Sequence, residues 1–254
     1  MFTIYVYVLD TLADWELGHV ISELNSGRFF KKGAQHVSLK MVSYSREPIH
    51  TMGGLTIVPD CLINDIVVSK TSMLLLPGAD TWNDPKHVAV IEKASEFLTL
   101  GAAVCAICGA TAALANFGLL DQRPHTSNGP GFLEMVSPDY NGQSFYIDKP
   151  SAAENNLITA SCTGALLWTK HIIEYLDVFQ SDTWNRGTNT SVPVNLNISL
   201  HLCRLCRLKK DDISIKDQKE PIPLRHQFFL FIDPLTKRRV SLLFIYILNH
   251  LLYR

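Results

Sequence analysis

Short runs that are apolar throughout alternate with longer stretches of helical spacing over the first 180 or so residues of the chain. Residues 3–9 are a β-rich apolar run, and residues 15–24 carry helical spacing behind Asp14, a candidate cap. Residues 37–44 predict the next strand, and residues 49–59, two short apolar runs around Gly53-Gly54, predict a hairpin excursion. A buried strand over 72–76 ends in Pro77-Gly78, a helix follows over about 85–100, and a second buried strand over 102–107 leads into a short helix over 110–117. Residues 146–148 and 157–161 are strand-like, flank a turn at 153–156, and precede an amphipathic closing helix over 165–179. Strands and helices taking turns in this way predict an α/β fold with a parallel sheet. In such sheets ligands bind beyond the carboxyl ends of the strands, and the loop after Leu9, Gly78 and Cys108 all fall at such ends.

Cys108 has the surroundings of a nucleophile elbow. A sharp strand-to-helix turn crowds the backbone, so the residues two before and two after the nucleophile must be small; here they are Ala106 and Ala110. The turn places the thiol at a helix N-terminus, where unpaired N–H groups and the helix dipole favour a thiolate. A buried packing cysteine at a strand end satisfies the same local pattern. The N–H groups of Gly78 and Gly109 are candidate oxyanion donors above the thiol, although a glycine after a strand is also an ordinary turn residue. Cys162, between Ser161 and Thr163-Gly164 at the end of another strand, passes the same elbow test and is a minor alternative nucleophile.

At 254 residues, 47% hydrophobic and 19% charged, the chain has the composition of a soluble globular protein. A net charge of -1 gives no case for nucleic acid as a partner. Residues 1–10 lack a basic leader and a small-residue cleavage site, the last apolar run is too short to cross a membrane, and six irregularly spaced cysteines suit a reducing compartment. A cytoplasmic location without membrane attachment is expected. Charge is unevenly spread: residues 1–192 hold 12 basic and 19 acidic side chains, residues 193–254 hold 11 and 5. Residues 191–254 therefore read as an atypical basic extension, disordered or not native to the fold, beyond a domain over 1–190. Cys105 and Cys108 sit three apart on a strand and point to opposite faces, and Cys203 and Cys206 lie far off in the basic segment, so neither pair suggests a zinc site. His19, His36, His50, His87 and His171 show no metal spacing.

Read in order, Glu16, Leu76-Pro77-Gly78, Ala106-Ile107-Cys108-Gly109-Ala110, Gly118-Leu119-Leu120-Asp121 and Leu157-Ile158-Thr159-Ala160 resemble the ThiJ/PfpI superfamily, of class I glutamine-amidotransferase-like fold, over about residues 2–185. The resemblance implies a flavodoxin-like three-layer αβα sandwich with a mostly parallel central sheet, usually a homodimer; no cofactor or metal is expected. It implies a catalytic Cys108 beside an acidic partner at Glu16. A carboxyl next to a thiolate raises its own pKa and, once protonated, donates to sulfur or to a sulfinate oxygen. The implied function is a cysteine-dependent hydrolase or lyase for small carbonyl or amide compounds; an oxidation-sensing protein without turnover is the alternative, and amide transfer or proteolysis a further one. Peptidase-like members carry a histidine directly after the nucleophile, where this chain has Gly109, so a Cys-His dyad needs another donor. His125 is the candidate base from the loop 123–128, whereas Asn128 stands in the register of a histidine found in related chains and is expected to orient substrate.

Overall fold

The structure, a computed structural model, describes residues 1–179. The basic segment and the pair Cys203 and Cys206 lie outside the described residues. The first strand, β1 (Phe2–Tyr7), leads through a tight loop into α1 (Asp14–Ser26), and the chain returns as β2 (Val37–Ser43). A small antiparallel hairpin of β3 (Ile49–His50) and β4 (Thr56–Ile57) stands apart from the main sheet, as its Gly53-Gly54 turn predicts. There follow β5 (Cys61–Leu62), β6 (Ser72–Leu76), α2 (Val88–Leu100), β7 (Ala103–Ile107), α3 (Gly109–Asn116) and α4 (Phe132–Val136). The antiparallel pair β8 (Ser151–Glu154) and β9 (Leu157–Ala160) precedes α5 (Ala165–Leu176).

The seven-stranded sheet has the order β5-β2-β1-β6-β7-β9-β8, parallel throughout except for the edge strand β8. Right-handed crossovers send the connection from β1 to β2 one way and those from β6 to β7 and from β7 to β9 the other, which places helices on both faces. On one face α1 packs against α5, and α2 covers β6 and β7 on the other. This explains why β6 and β7 are apolar at every position: every one of their residues is buried, where a one-sided strand would alternate. The strand order reverses between β1 and β6, so a crevice opens at their carboxyl ends. The loops after β1, β6 and β7 meet there.

Several local expectations shift. Asp14 is the first residue of α1 and not its cap: Ala13 holds the cap position, and the Asp14 carboxylate accepts the Gly53 N–H at 2.6 Å, latching the hairpin to the helix. Residues 146–148 make only an isolated bridge between Tyr146 and His125. The turn expected at 153–156 narrows to Asn155-Asn156, because β8 runs on to Glu154 and Asn155 alone takes a left-handed conformation, with φ 52°.

Candidate active site

Strand β7 stops at Ile107 and α3 starts at Gly109, so the whole change of direction falls on Cys108, held at φ 56° and ψ −125°. A side-chain-bearing residue in such a region costs of order 1–3 kcal/mol, and the surroundings must impose it. The Cys108 N–H donates to the Ala160 carbonyl at 3.0 Å, keeping the elbow tied to β9. Its carbonyl accepts from the Thr111 N–H at 3.0 Å and from the Thr111 hydroxyl at 2.6 Å. Having spent its one proton there, the Thr111 hydroxyl accepts from Ser127 at 2.6 Å. The elbow is thereby braced by the loop that carries Asn128.

Glu16 lies in the first turn of α1 and is fully buried. The Gly78 N–H donates to its Oε2 at 2.6 Å, Oε1 is buried without a hydrogen-bond partner, and the carboxyl faces the Cys108 thiol. Position 78 must be glycine for this to happen, since a Cβ there would sit 2.8 and 2.9 Å from the two carboxyl oxygens and 2.9 Å from the Cys108 Cβ. Burial first, and then the negative charge of Glu16, push the thiol up to about 12, against the pull of the Asn128 amide and the Gly109 N–H. Burial also raises the Glu16 carboxyl, and hydrogen bonds from Gly78 and the thiol offset this only in part. The helix terminus therefore does not act alone on the sulfur: a buried carboxyl beside it competes for the same proton.

Asn128 closes the other side. Its Oδ1 accepts the Cys162 N–H at 2.8 Å, which fixes the amide orientation, because an NH₂ group cannot accept. Its Nδ2 is then the atom that meets Cys108 Sγ, at 3.4 Å. Beyond the elbow, a Cβ on Gly109 would come within 3.1 Å of the Ala79 carbonyl and 3.4 Å of the Trp82 ring. That ring is anchored by its Nε1–H on the Pro77 carbonyl at 2.9 Å and forms a wall beside α3. Among the described residues, no group of three or more His, Cys, Asp or Glu side chains is placed to hold a metal ion.

The buried acid, the strained cysteine and the glycine between them give the site its form, and a family model described as DJ-1/PfpI family matches residues 2–175. The chain belongs to the DJ-1/PfpI family. It is 40% identical over 193 residues to a Bacillus subtilis protein named "Uncharacterized protease YoaZ", covering 75% of this chain and 92% of that one. To "Uncharacterized protease YdeA" of the same organism it is 30% identical over 172 residues, covering 67% and 81%. A crystal structure of a thiJ/pfpI family protein from Bacillus anthracis superposes with a TM-score of 0.71 at 39% identity, covering 79% of this chain and 98% of that one. These relatives bear out the flavodoxin-like α/β fold and the superfamily read from the sequence.

Within this DJ-1/PfpI site, three expected roles meet different geometry. His125 is fully buried, with Nδ1 at 2.6 Å from the Arg123 carbonyl and Nε2 at 2.7 Å from the Tyr140 hydroxyl. Both ring nitrogens are taken and the ring is wedged edge-on between Tyr140 and Tyr146, so it pins its loop and has no nitrogen left to act as base for Cys108. The Gly78 N–H is spent on the Glu16 carboxyl and is not free for an oxyanion. Asn128, expected to orient substrate, touches the Cys108 sulfur itself. Sequence reasoning missed Thr111 and Ser127; a Thr three residues after an elbow cysteine, able to reach back to its carbonyl, was the available signal. It also missed Trp82, which no local pattern marks.

Proposed function

We propose that the protein is a cysteine-dependent hydrolase or lyase for small carbonyl or amide compounds, with Cys108 as nucleophile and Glu16 as the group that takes and returns its proton. The observation that carries this reading is the fully buried carboxyl, anchored on the Gly78 N–H and set against a thiol in a strained elbow. Sulfur adds to the carbonyl carbon, a C–S bond forms, the π pair moves onto oxygen, and the thiol proton passes to the Glu16 carboxylate. A carboxyl raised by burial suits this task, since its proton affinity lies nearer working pH than that of a free glutamate. The Gly109 N–H and the Asn128 Nδ2, both directed at the sulfur, are the donors for the developing oxyanion, with Gly78 acting through Glu16 instead. From an aldehyde this gives a hemithioacetal; from an amide, an adduct that expels the amine with the proton held on Glu16 and leaves a thioester for water.

Relatives named as proteases bear on hydrolysis, yet a Cys-His peptidase dyad has no histidine at position 109 and none free at 125. Small substrates fit better than peptides. Dimer formation and a reducing, cytoplasmic setting belong to the same reading, supported by the habit of the family and by four unpaired cysteines among the described residues. No described helix is long and apolar enough to cross a membrane. Oxidation sensing is the second reading, favoured by the Asn128 bridge between Cys108 and Cys162.

Assaying methylglyoxal and ammonia-releasing amides alongside alkylation of Cys108 separates these readings. Turnover that falls at least about 100-fold in Cys108→Ser supports the enzyme. Rapid alkylation with no turnover of any substrate supports the sensor, and a thiol inert across pH 6–9 rejects both.

A further inference from the structure

Cys162 is the one thiol among the described residues that shares a hydrogen-bonded partner with Cys108. The two strands that carry them are paired in parallel up to Ile107 opposite Ala160, so Cys108 lies one residue past the last pair and Cys162 two. Strand spacing of about 4.8 Å and a rise of about 3.3 Å per residue, carried one and two residues past that pair, would put the two Cα atoms about 6 Å apart, inside the disulfide range of about 4.4–6.8 Å. Strand alternation no longer separates their side chains, because Cys108 has turned to φ 56° and Cys162 sits in the turn closed by the Gly164 N–H on the Ser161 carbonyl at 2.8 Å. Asn128 meets both, touching the sulfur of one and the backbone N–H of the other. Both cysteines are partly open to solvent. The remaining described thiols are badly placed: Cys105 is fully buried within β7, and Cys61 lies on β5, four strands away in the sheet.

We infer that Cys162 is a resolving cysteine, which captures the sulfenic acid formed at Cys108 by a hydroperoxide and closes a Cys108–Cys162 disulfide. The inference rests on Cys108 being the reactive thiol of the proposed site. In the first step Cys108 Sγ attacks the terminal peroxide oxygen, the O–O bond breaks, sulfur is oxidised by two electrons, and the leaving hydroxide or alkoxide departs as water or alcohol with the thiol proton. In the second step Cys162 Sγ attacks the sulfenyl sulfur, the S–S bond forms, the S–O bond breaks, and water leaves with the Cys162 proton. The Asn128 amide swings aside as the sulfurs meet. The disulfide returns to two thiols with any dithiol reductant, so capture keeps Cys108 from irreversible sulfinate.

The test treats the full-length protein with a small excess of hydrogen peroxide, blocks free thiols, and maps cysteine peptides by mass spectrometry before and after dithiothreitol. The expected product is a Cys108–Cys162 cross-linked peptide, lighter by about 2 Da than the two thiol peptides and restored by dithiothreitol. Cys162→Ser keeps the backbone N–H that Asn128 uses, so the site stays built; it is expected to gain about 32 Da on the Cys108 peptide and to lose at least about tenfold of the recoverable thiol. Sulfinate at Cys108 with Cys162 still free in the wild type, or a Cys108 disulfide to any other cysteine, overturns the inference and leaves the reactive thiol standing. Failure of Cys108 to oxidise at all overturns both.

Discussion

A fully buried carboxyl, held 2.6 Å from a backbone N–H and set against a thiol, is costly to keep charged. Burial raises the Glu16 carboxyl above its unfolded value, so the folded state favours its protonated form; whatever this group contributes is fully present at low pH and lost as pH rises through the raised pKa. Replacing it with glutamine keeps an acceptor for the Gly78 N–H and removes the charge. Glu16→Gln is therefore expected to raise the Tm at pH 7 by roughly 2–4 °C, about 1 kcal/mol for a domain of this size, and the gain should vanish in acid, where the wild type is itself neutral. At the sulfur the same change removes the second cause of the raised thiol pKa, so iodoacetamide alkylation at pH 7 should accelerate roughly tenfold for each pKa unit recovered. Turnover should fall, because glutamine accepts no proton. Faster alkylation with slower turnover is the signature of a proton acceptor; a fall in both would make Glu16 a mere positioning group.

The elbow works only because the loop after β6 comes so close to it. Gly78 admits Glu16 and Cys108 together, and the Ala79 carbonyl with the Trp82 ring fills the space where a side chain on residue 109 would begin. Gly109→His, which would supply a histidine directly after Cys108, should therefore cost about 1–3 kcal/mol of stability through overpacking, read as a lower urea midpoint with an unchanged m-value. It should not create casein-cleaving activity, since the ring has no room beside the sulfur; new proteolysis at native stability would refute this account. The strands that carry the site, β6 and β7, were legible because burial on both faces leaves an uninterrupted apolar run, and the elbow because its small neighbours are a steric necessity. The two-residue β5, the five-residue α4 and the edge strand β8 are too short or too one-sided to impose a period on the sequence. The role of His125 was illegible for a different reason: its partners are Arg123 just upstream and Tyr140 fifteen residues on, and only the folded loop brings that hydroxyl to the ring.

At the scale of the molecule, the site is a consequence of topology: the strand order reverses between β1 and β6, the acid comes from the first turn of α1, which follows β1, and the glycine and the thiol come from the turns after β6 and β7. This arrangement is complete within the described residues. Helix α5 closes the sheet by packing on α1, and the chain just after it is tied back across the fold, with the Lys31 N–H on the Val178 carbonyl at 2.8 Å, a bridge between Phe30 and Phe179, and a Lys31–Asp177 ion pair. Phe29 and Phe30 pack their rings on Phe179, sealing the base of the α1–α5 layer. Every group assigned to the site, and every hydrogen bond that braces it, lies before residue 165. Removal of residues 193–254, the segment whose charge balance differs from the rest, is therefore expected to leave the Tm within about 2 °C and the alkylation rate of Cys108 within about twofold. Thermal unfolding of the truncated protein, followed by circular dichroism, gives the first quantity, and iodoacetamide kinetics the second. A truncated chain that folds but loses thiol reactivity would mean that the basic segment reaches the crevice, and one that aggregates would mean that the segment covers apolar surface the remainder leaves exposed. Either result would overturn the view that residues 1–192 hold the fold and the reactivity of Cys108 by themselves.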